Sequence, residues 1–447
     1  MFIKCQKFLV VGVSKSGFSA ASYILGKGGD CYIYEELKSD KIDESVEKLT
    51  ELGAKRADKE NIDGVLSVCD VVVLSPGVPI NHEIAVKAKR FGKRIIGEFG
   101  LGFELFVPPT IAVTGTNGKT TTVSMIEHIL KTAGTDCCPV GNIGIPVTSK
   151  LNSLSKDTVC VAEISSFQLE SIGLFCPHIA CVTNISPDHI ERHYNMENYI
   201  FLKKRIMKYQ RESEYTVLNF DDSTVREFEN ETKGKIVWVS ANQKVYGAYR
   251  ENGKLCFNGE YVTDENQLAL SGEHNVYNAL FAIAATKLMG VESTVIKEAL
   301  SSFKGVKHRV ELISEKNGIK FYNDSKSTNT ASTISAIGTM KAPTVLILGG
   351  SEKGEKYDKL FEIIKTSPVK HVVITGASRY HMFDAANKAG FYDLTLTSDF
   401  ICAVKIATMY AKDGDCVLLS PACASFDRFS GYEERGNNFI KTVEELS

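Results

Sequence analysis

Short, nearly unbroken apolar runs recur along this chain, and each gives way to a stretch with helical periodicity. Apolar runs without polar alternation read as strands covered on both faces, and their alternation with helices predicts parallel α/β sheets. Three segments carry the pattern. The first holds Phe8–Gly12, Cys31–Tyr34, Val71–Ser75 and Arg94–Gly97. The second holds Thr110–Thr114, Val159–Glu163, Ile179–Asn184 and Tyr215–Asn219, and a helix is predicted over Asn275–Met289. The third holds Thr344–Gly349, His371–Thr375 and Cys416–Ser420. Glycine-containing transitions near Gly97 and Lys304-Gly305 set the expected domains at 1–97, 98–305 and 306–447.

Composition narrows the class. The 447 residues are 43% hydrophobic and 24% charged, with a formal net charge of −2. Charges of both signs are interspersed, which gives no support to a nucleic-acid or anionic-membrane surface. No apolar run approaches the roughly 18 residues of a membrane span. The start, Met1-Phe-Ile-Lys-Cys-Gln-Lys, lacks the apolar stretch and cleavage site of a signal peptide. Twelve cysteines are scattered without a C-x-x-C pair, and Cys137-Cys138 are poorly placed to bridge. Reduced thiols in a cytoplasmic protein are expected.

The chemistry concentrates at strand ends. Ile111-Ala-Val-Thr-Gly115-Thr-Asn-Gly118-Lys119-Thr120-Thr121 joins a strand, a glycine turn and a helix start. Backbone N–H groups and the helix dipole favour phosphate there, Lys119 can neutralise outer phosphates, and Thr120 can ligate Mg²⁺. The turn is shorter than the usual P-loop, because Val113 occupies the place of its first glycine. Glu163 ends another strand, where α/β folds place ligands and where a carboxylate can share Mg²⁺ with Thr120. Thr183-Asn-Ile-Ser-Pro-Asp188-His189-Ile-Glu-Arg192-His193 is a third such end. Its glutamate has the wrong offset for a zinc helix. On spacing alone His189 is either a phosphate or metal neighbour or an ordinary loop residue. Gly12-Val-Ser-Lys-Ser-Gly17 lacks the dinucleotide spacing, and Ser75-Pro-Gly-Val-Pro79 reads by itself as a rigid turn.

In order along nearly the whole chain, these segments resemble the Mur ligase family, the ATP-dependent amino-acid-adding enzymes of bacterial peptidoglycan synthesis. The likeness rests on Gly-Thr-Asn-Gly-Lys-Thr-Thr at 115–121, Gly-Asn-Ile-Gly at 141–144, Glu163-Ile-Ser-Ser-Phe-Gln168 and Asp188-His189. Gly272-Glu-His-Asn275, His308-Arg309 and Asn323-Asp-Ser-Lys-Ser-Thr328 extend it. The last segment and Ser420-Pro-Ala-Cys-Ala-Ser425 are similar to the D-glutamate-adding branch, and the Asp-Asn-Pro-Arg motif of the diaminopimelate- or lysine-adding branch is absent.

The resemblance implies Rossmann-like first and last domains around a central P-loop ATPase-like domain with a mostly parallel sheet. It implies transfer of the ATP γ-phosphoryl to UDP-N-acetylmuramoyl-L-alanine and attack by D-glutamate, with two Mg²⁺ ions and a monomeric enzyme. Gly115, Thr116, Asn117, Gly118, Lys119, Thr120 and Thr121 would hold ATP, with Asn275, Arg309 and Asp324 around its adenine, ribose and phosphates. Thr120 and Glu163 would hold the first Mg²⁺, with His189 at the second. A lysine carbamylated by CO₂ follows in the family; Lys203 and Lys204 are both candidates, and the pattern Tyr199-x-x-x-Lys203-x-Arg205 favours Lys203. Asn142, Ser165 and Gln168 would line the muramoyl site, and Lys326 would face the reacting phosphate. Thr328, Lys353, Ser425, Phe426 and Tyr432 would define the D-glutamate pocket; Tyr432 stands where phenylalanine is common. On the uridine side Ser14, Lys15, Glu35 and Ser75 are candidates, although Glu35-Glu-Leu37 replaces the Asp-Thr-Arg frequent in relatives. The alternative is another Mur or folylpolyglutamate-type ligase with a different amino acid.

Overall fold

The computed structural model describes residues 3–351 and 356–446, so Lys353 lies outside the described residues. Every apolar run named above becomes a strand. The first sheet is parallel throughout and contains β1 (Lys7–Val11), β2 (Asp30–Tyr34), β3 (Lys55–Ala57), β4 (Val71–Leu74) and β5 (Arg94–Gly97), in the order β3-β2-β1-β4-β5. Phe8 to Val11 and Val71 to Leu74 are buried, and their two faces feed separate cores. This is why those runs show no polar alternation.

The second sheet has nine strands in the order β14-β13-β12-β11-β10-β9-β6-β8-β7. They are β6 (Thr110–Thr114), β7 (Cys137–Gly141), β8 (Val159–Glu163), β9 (Ile179–Val182), β10 (Tyr215–Asn219), β11 (Lys235–Ser240), β12 (Gly247–Glu251), β13 (Lys254–Phe257) and β14 (Glu260–Asp264). Seven strands pair in parallel, and the last two add an antiparallel edge. The third sheet runs β15-β16-β20-β17-β18-β19. It comprises β15 (Glu311–Lys316), β16 (Ile319–Asn323), β17 (Thr344–Gly349), β18 (Val369–Thr375), β19 (Leu394–Leu396) and β20 (Cys416–Leu419). The predicted helix 275–289 is observed as Glu273–Leu288.

The chain divides into two compact units. One holds the first two sheets, residues 1–268 and 275–303; the other holds residues 269–274 and 304–447. Among the described residues no helix is long and apolar enough to cross a membrane.

Within the first unit, the helix Glu98–Leu105 follows β5 directly and carries Phe99 and Phe103 against Phe175, with ring centroids 4.8–5.3 Å apart. At its start Glu98 is buried. Its Oε1 accepts from the Thr148 backbone N–H at 2.7 Å and from Thr148 Oγ1 at 2.8 Å. Thr148 Oγ1 in turn lies 2.7 Å from Ser19 Oγ on the helix Lys15–Gly26, which tethers the first sheet's layer to the second's. Burial pushes the Glu98 carboxyl from 4.5 up to about 7, and the Thr148 bonds only temper the rise.

A carboxyl raised in the fold stabilises it fully below the unfolded value. That contribution drains away as pH rises from 4.5 toward about 7. The loss amounts to on the order of 3 kcal/mol. Glu98→Gln is therefore expected to flatten the stability–pH curve across this window, read from denaturation midpoints at successive pH values; an unchanged slope would show that Glu98 is not its source.

Candidate functional site: a phosphate-binding loop and the strand ends around it

All five residues of β6 are buried, and the chain leaves the strand through Gly115 at φ +139°. A Cβ at Gly115 would lie 2.0 Å from Thr183 Oγ1, so only glycine fits. Gly118, at φ +85°, precedes the helix Lys119–Thr132 and would put a Cβ 2.5 Å from Asn278 Oδ1. Backbone N–H groups and the positive dipole end gather in the helix's first turn. Thr120 and Thr121 are buried within it.

The loop is stitched to the end of β9. Thr116 N donates to Asn184 O at 2.8 Å and Asn117 N to Asn184 Oδ1 at 2.9 Å. Asn117 O accepts from Thr183 Oγ1 at 2.7 Å and from Asn184 Nδ2 at 3.0 Å. Lys119 folds back across the turn, its Nζ donating to Gly115 O at 2.9 Å and Thr116 O at 2.7 Å. Thr183, Asn184 and Asn278 hold the loop's shape, and nothing in the motif itself singled them out. For Asn278, the sign available in sequence was its place three residues after Asn275, just before the apolar run Ala279–Ala285; Asn278 Nδ2 donates to Asn275 Oδ1 at 3.1 Å.

Glu163 pairs in register with Val113, which sets its carboxylate beside the loop. It is buried, and its Oε1 accepts from Asn142 Nδ2 at 2.7 Å, while Asn142 N donates to Glu163 O at 2.8 Å. Lys203, on the helix Met196–Lys204, is 2% exposed; its Nζ donates to Gly115 O at 2.9 Å and Thr114 Oγ1 at 3.2 Å. Burial, then the Lys119 charge, pushes the Lys203 ammonium well below its usual range, against the opposing pull of Asp188 and Glu163. Lys204 turns away to Glu231, 2.5 Å distant. Successive helical positions diverge by about 100°, and that rotation separates the two lysines.

His189 adopts the left-handed conformation at φ +53°. Its ring is 4.8 Å from Phe167, and its nitrogens lie 3.6 Å from Asp188 Oδ2 and from Glu191 Oε1. His193 points inward to Ser166 Oγ at 2.9 Å, and burial holds its pKa below the ordinary value. Both rings flank Phe167, but their nitrogens have different partners. Ser165 and Gln168 form a capping box on the helix Ser166–Leu169.

In the first sheet the strand order reverses between β1 and β4, the position at which such sheets take ligands. A cavity of about 230 Å³ lies there, with Gly12, Ser14, Glu35, Ser75 and His82 among its walls. Ser75 Oγ donates to Gly12 O at 2.7 Å. Glu35 turns its carboxylate to the backbone, accepting from Val13 N at 2.7 Å, Glu36 N at 2.9 Å and Leu37 N at 2.8 Å. Lys15 lines a separate cavity of about 560 Å³ with Phe18, Tyr23 and Gly144.

In the second unit the Asn323–Thr328 segment follows β16. Asp324 is buried, which raises its carboxyl; Arg309 opposes this, as does Ser420 Oγ donating to Oδ2 at 2.6 Å. Lys326 Nζ donates to Tyr432 Oη at 2.8 Å and lies 4.4 Å from that ring's centroid. Thr328 is half-buried, Ser425 is buried and Phe426 is exposed. Sequence reasoning missed Arg435, a buried guanidinium on the helix Tyr432–Glu444. It donates to Ser325 Oγ at 3.0 Å, Ser325 O at 2.8 Å, Cys423 O at 3.0 Å and Ala424 O at 3.2 Å. Burial lowers its pKa to about 10. Arg435 thus ties Ser325 to the Cys423–Ser425 turn; its position three residues after Tyr432 was the only sign in the sequence.

Residues 113–286 match the Mur ligase middle domain and residues 308–423 the Mur ligase glutamate ligase domain. Among solved structures, UDP-N-acetylmuramate-alanine ligase MurC from Thermotoga maritima is similar over 98% of this chain and 99% of its own, with 19% identity and a TM-score of 0.61. MurF from Acinetobacter baumannii is similar over 97% and 93%, with 18% identity and a TM-score of 0.64. They share the three-domain fold. A P-loop variant beside a strand-end carboxylate, on this fold, defines the class.

The relatives resolve the branch. UDP-N-acetylmuramoylalanine--D-glutamate ligase from Thermoanaerobacter sp. (strain X514) is 39% identical over 100% of both chains. The protein of the same name from Clostridioides difficile (strain 630) is 38% identical, again over 100% of both. The chain belongs to the Mur ligase family, on the branch formed by these D-glutamate ligases.

Gly115→Ala is expected to destabilise the first unit by roughly 2 kcal/mol or more, through the Thr183 clash and a disfavoured backbone angle. Urea denaturation measures this, and an unchanged midpoint would mean the turn is not the constraint described here.

Proposed function

We propose that the chain catalyses ATP-dependent addition of D-glutamate to UDP-N-acetylmuramoyl-L-alanine in the cytoplasm, as a monomer. The observation that carries the reading is the meeting of Lys119 and Lys203 at the Gly115 carbonyl beside Glu163, on a chain that matches D-glutamate ligases end to end.

The substrate carboxylate attacks the γ-phosphorus, the bond to ADP breaks, and an acyl phosphate forms. The D-glutamate amine then adds to the acyl carbon, loses a proton, and phosphate leaves. No protein nucleophile is required. The protein supplies placement and charge compensation. Lys119 moves from its loop carbonyls to the outer phosphates, and the helix N-terminus receives phosphate oxygens. Lys326 compensates charge on the transferred group. Thr328, Lys353, Ser425, Phe426 and Tyr432 receive D-glutamate; Asn142, Ser165 and Gln168 receive the muramoyl arm; Ser14, Lys15, Glu35 and Ser75 receive the uridine end. Asn275, Arg309 and Asp324 serve the nucleotide.

The donor set suits magnesium. Glu163 and Thr120 offer hard oxygens from adjoining strand ends, with Asp188-His189 at the next one. Two ions bound there would neutralise phosphate oxygens. A depressed ammonium is more often a neutral amine, the form that adds CO₂, and a carbamate on Lys203 would turn a cation into an oxygen ligand.

Phosphate release is expected only when ATP, UDP-N-acetylmuramoyl-L-alanine and D-glutamate are all present; stronger turnover with L-alanine, L-glutamate or a folate would assign another ligase of the family. Lys119→Ala is expected to lower turnover by roughly 100-fold or more while the protein stays folded, and near-normal rates would remove its role. Lys203→Ala should regain part of its activity with added formate or acetate; full activity without them would take the carbamate away from Lys203.

A further inference from the structure

Glu170 and Arg192 lie outside every role assigned above. Arg192 Nε donates to Glu170 Oε1 at 2.9 Å and Nη2 to Oε2 at 2.8 Å, a two-point pair with both side chains largely buried. The same guanidinium reaches across to the loop after β4: Nη1 donates to Gly77 O at 3.1 Å and Nη2 to Pro76 O at 3.3 Å. Glu170 Oε2 also accepts from Ile80 N at 3.3 Å. Each partner therefore binds the other and the Pro76–Ile80 segment, the continuation of Ser75.

The opposite side of the pair faces the loop after β9. Arg192 sits on the single helical turn Ile190–His193 that this connection carries, and its guanidinium stacks 4.6 Å from the Phe167 ring, whose other neighbours include the His189 ring at 4.8 Å. His193 Nδ1 is 3.6 Å from Glu170 Oε1. Arg205 Nη1 anchors the backbone by donating to Glu170 O at 2.8 Å. A planar fork with four occupied donor directions has no equivalent in lysine.

We propose that Glu170 and Arg192 are positioning residues that lock the Ser75–Ile80 loop of the first sheet to the Asp188–His193 loop of the second. The inference rests on the reading above, in which the first loop meets the nucleotide-linked substrate and the second the metal-bound phosphates. Seating the substrate against one loop then fixes the other, so substrate and Mg²⁺ favour each other's binding reciprocally.

Arg192→Met is expected to raise KM for UDP-N-acetylmuramoyl-L-alanine by about tenfold or more and to abolish the tightening of Mg²⁺ dependence by that substrate, leaving KM for D-glutamate within about twofold. Arg192→Lys should fall between, and Glu170→Gln combined with Arg192→Met should add little to either change alone. Amide hydrogen exchange on the apo-protein reads the lock without turnover. In wild type the Ile80 and Tyr194 amides should be protected together, and Arg192→Met should release both. Release of one loop alone, or an unchanged substrate KM in a folded Arg192→Met, overturns the proposal. A wild-type protein inert toward all three substrates would overturn the functional reading instead, and the exchange result would still decide whether the lock exists.

Discussion

One carbonyl oxygen, that of Gly115, accepts from two lysine side chains. Lys119 arrives from the helix that the loop opens, and Lys203 from a helix beyond β9. Two ammonium groups at one acceptor repel each other, and the price falls on the more deeply buried of them: the Lys203 charge is disfavoured by burial first and by Lys119 second. The arrangement persists because Gly115 and Gly118 permit the loop's backbone angles and because Thr183 and Asn184 clamp its outer side. Phosphate oxygens are what such a concentration of donors is suited to receive.

Topology brings the remaining groups to the same level. In the second sheet β6 lies between β8 and β9, so the loops that leave all three strands emerge side by side. Glu163 follows from one, Asp188-His189 from another and the phosphate loop from the middle. The first sheet repeats the arrangement with β1 and β4, and the third with β17 and β20. Strand carboxyl ends set side by side in this way are where open α/β sheets take ligands, and in the first sheet a cavity lies there.

Much of the fold was legible because strands buried on both faces leave unbroken apolar runs. The missed strands are those without that burial. β7 carries Pro139, which breaks the usual strand signature, yet β7 is an edge strand with one side unpaired, where proline is tolerated. β12 to β14 bury only two or three adjacent residues each and β15 buries none, so no long apolar run marks them in the sequence. At the site, the phosphate loop and Glu163 were legible from type and position. Which of Lys203 and Lys204 faces the phosphate loop needed the helix's rotation. Arg435 could not be found from its neighbours in sequence, because its partners Ser325 and Cys423 come from distant segments.

Glu35 gives the first sheet's crevice a property of its own. Its carboxylate already accepts from three backbone N–H groups, so the rim of the crevice is folded around that acid. Any guest of this cavity would meet preformed walls, and little of its association free energy would go into ordering the chain. The outline of those walls is set by the acid's bonds to Val13, Glu36 and Leu37, so a side chain of similar shape that accepts fewer of them would leave the rim less firmly ordered.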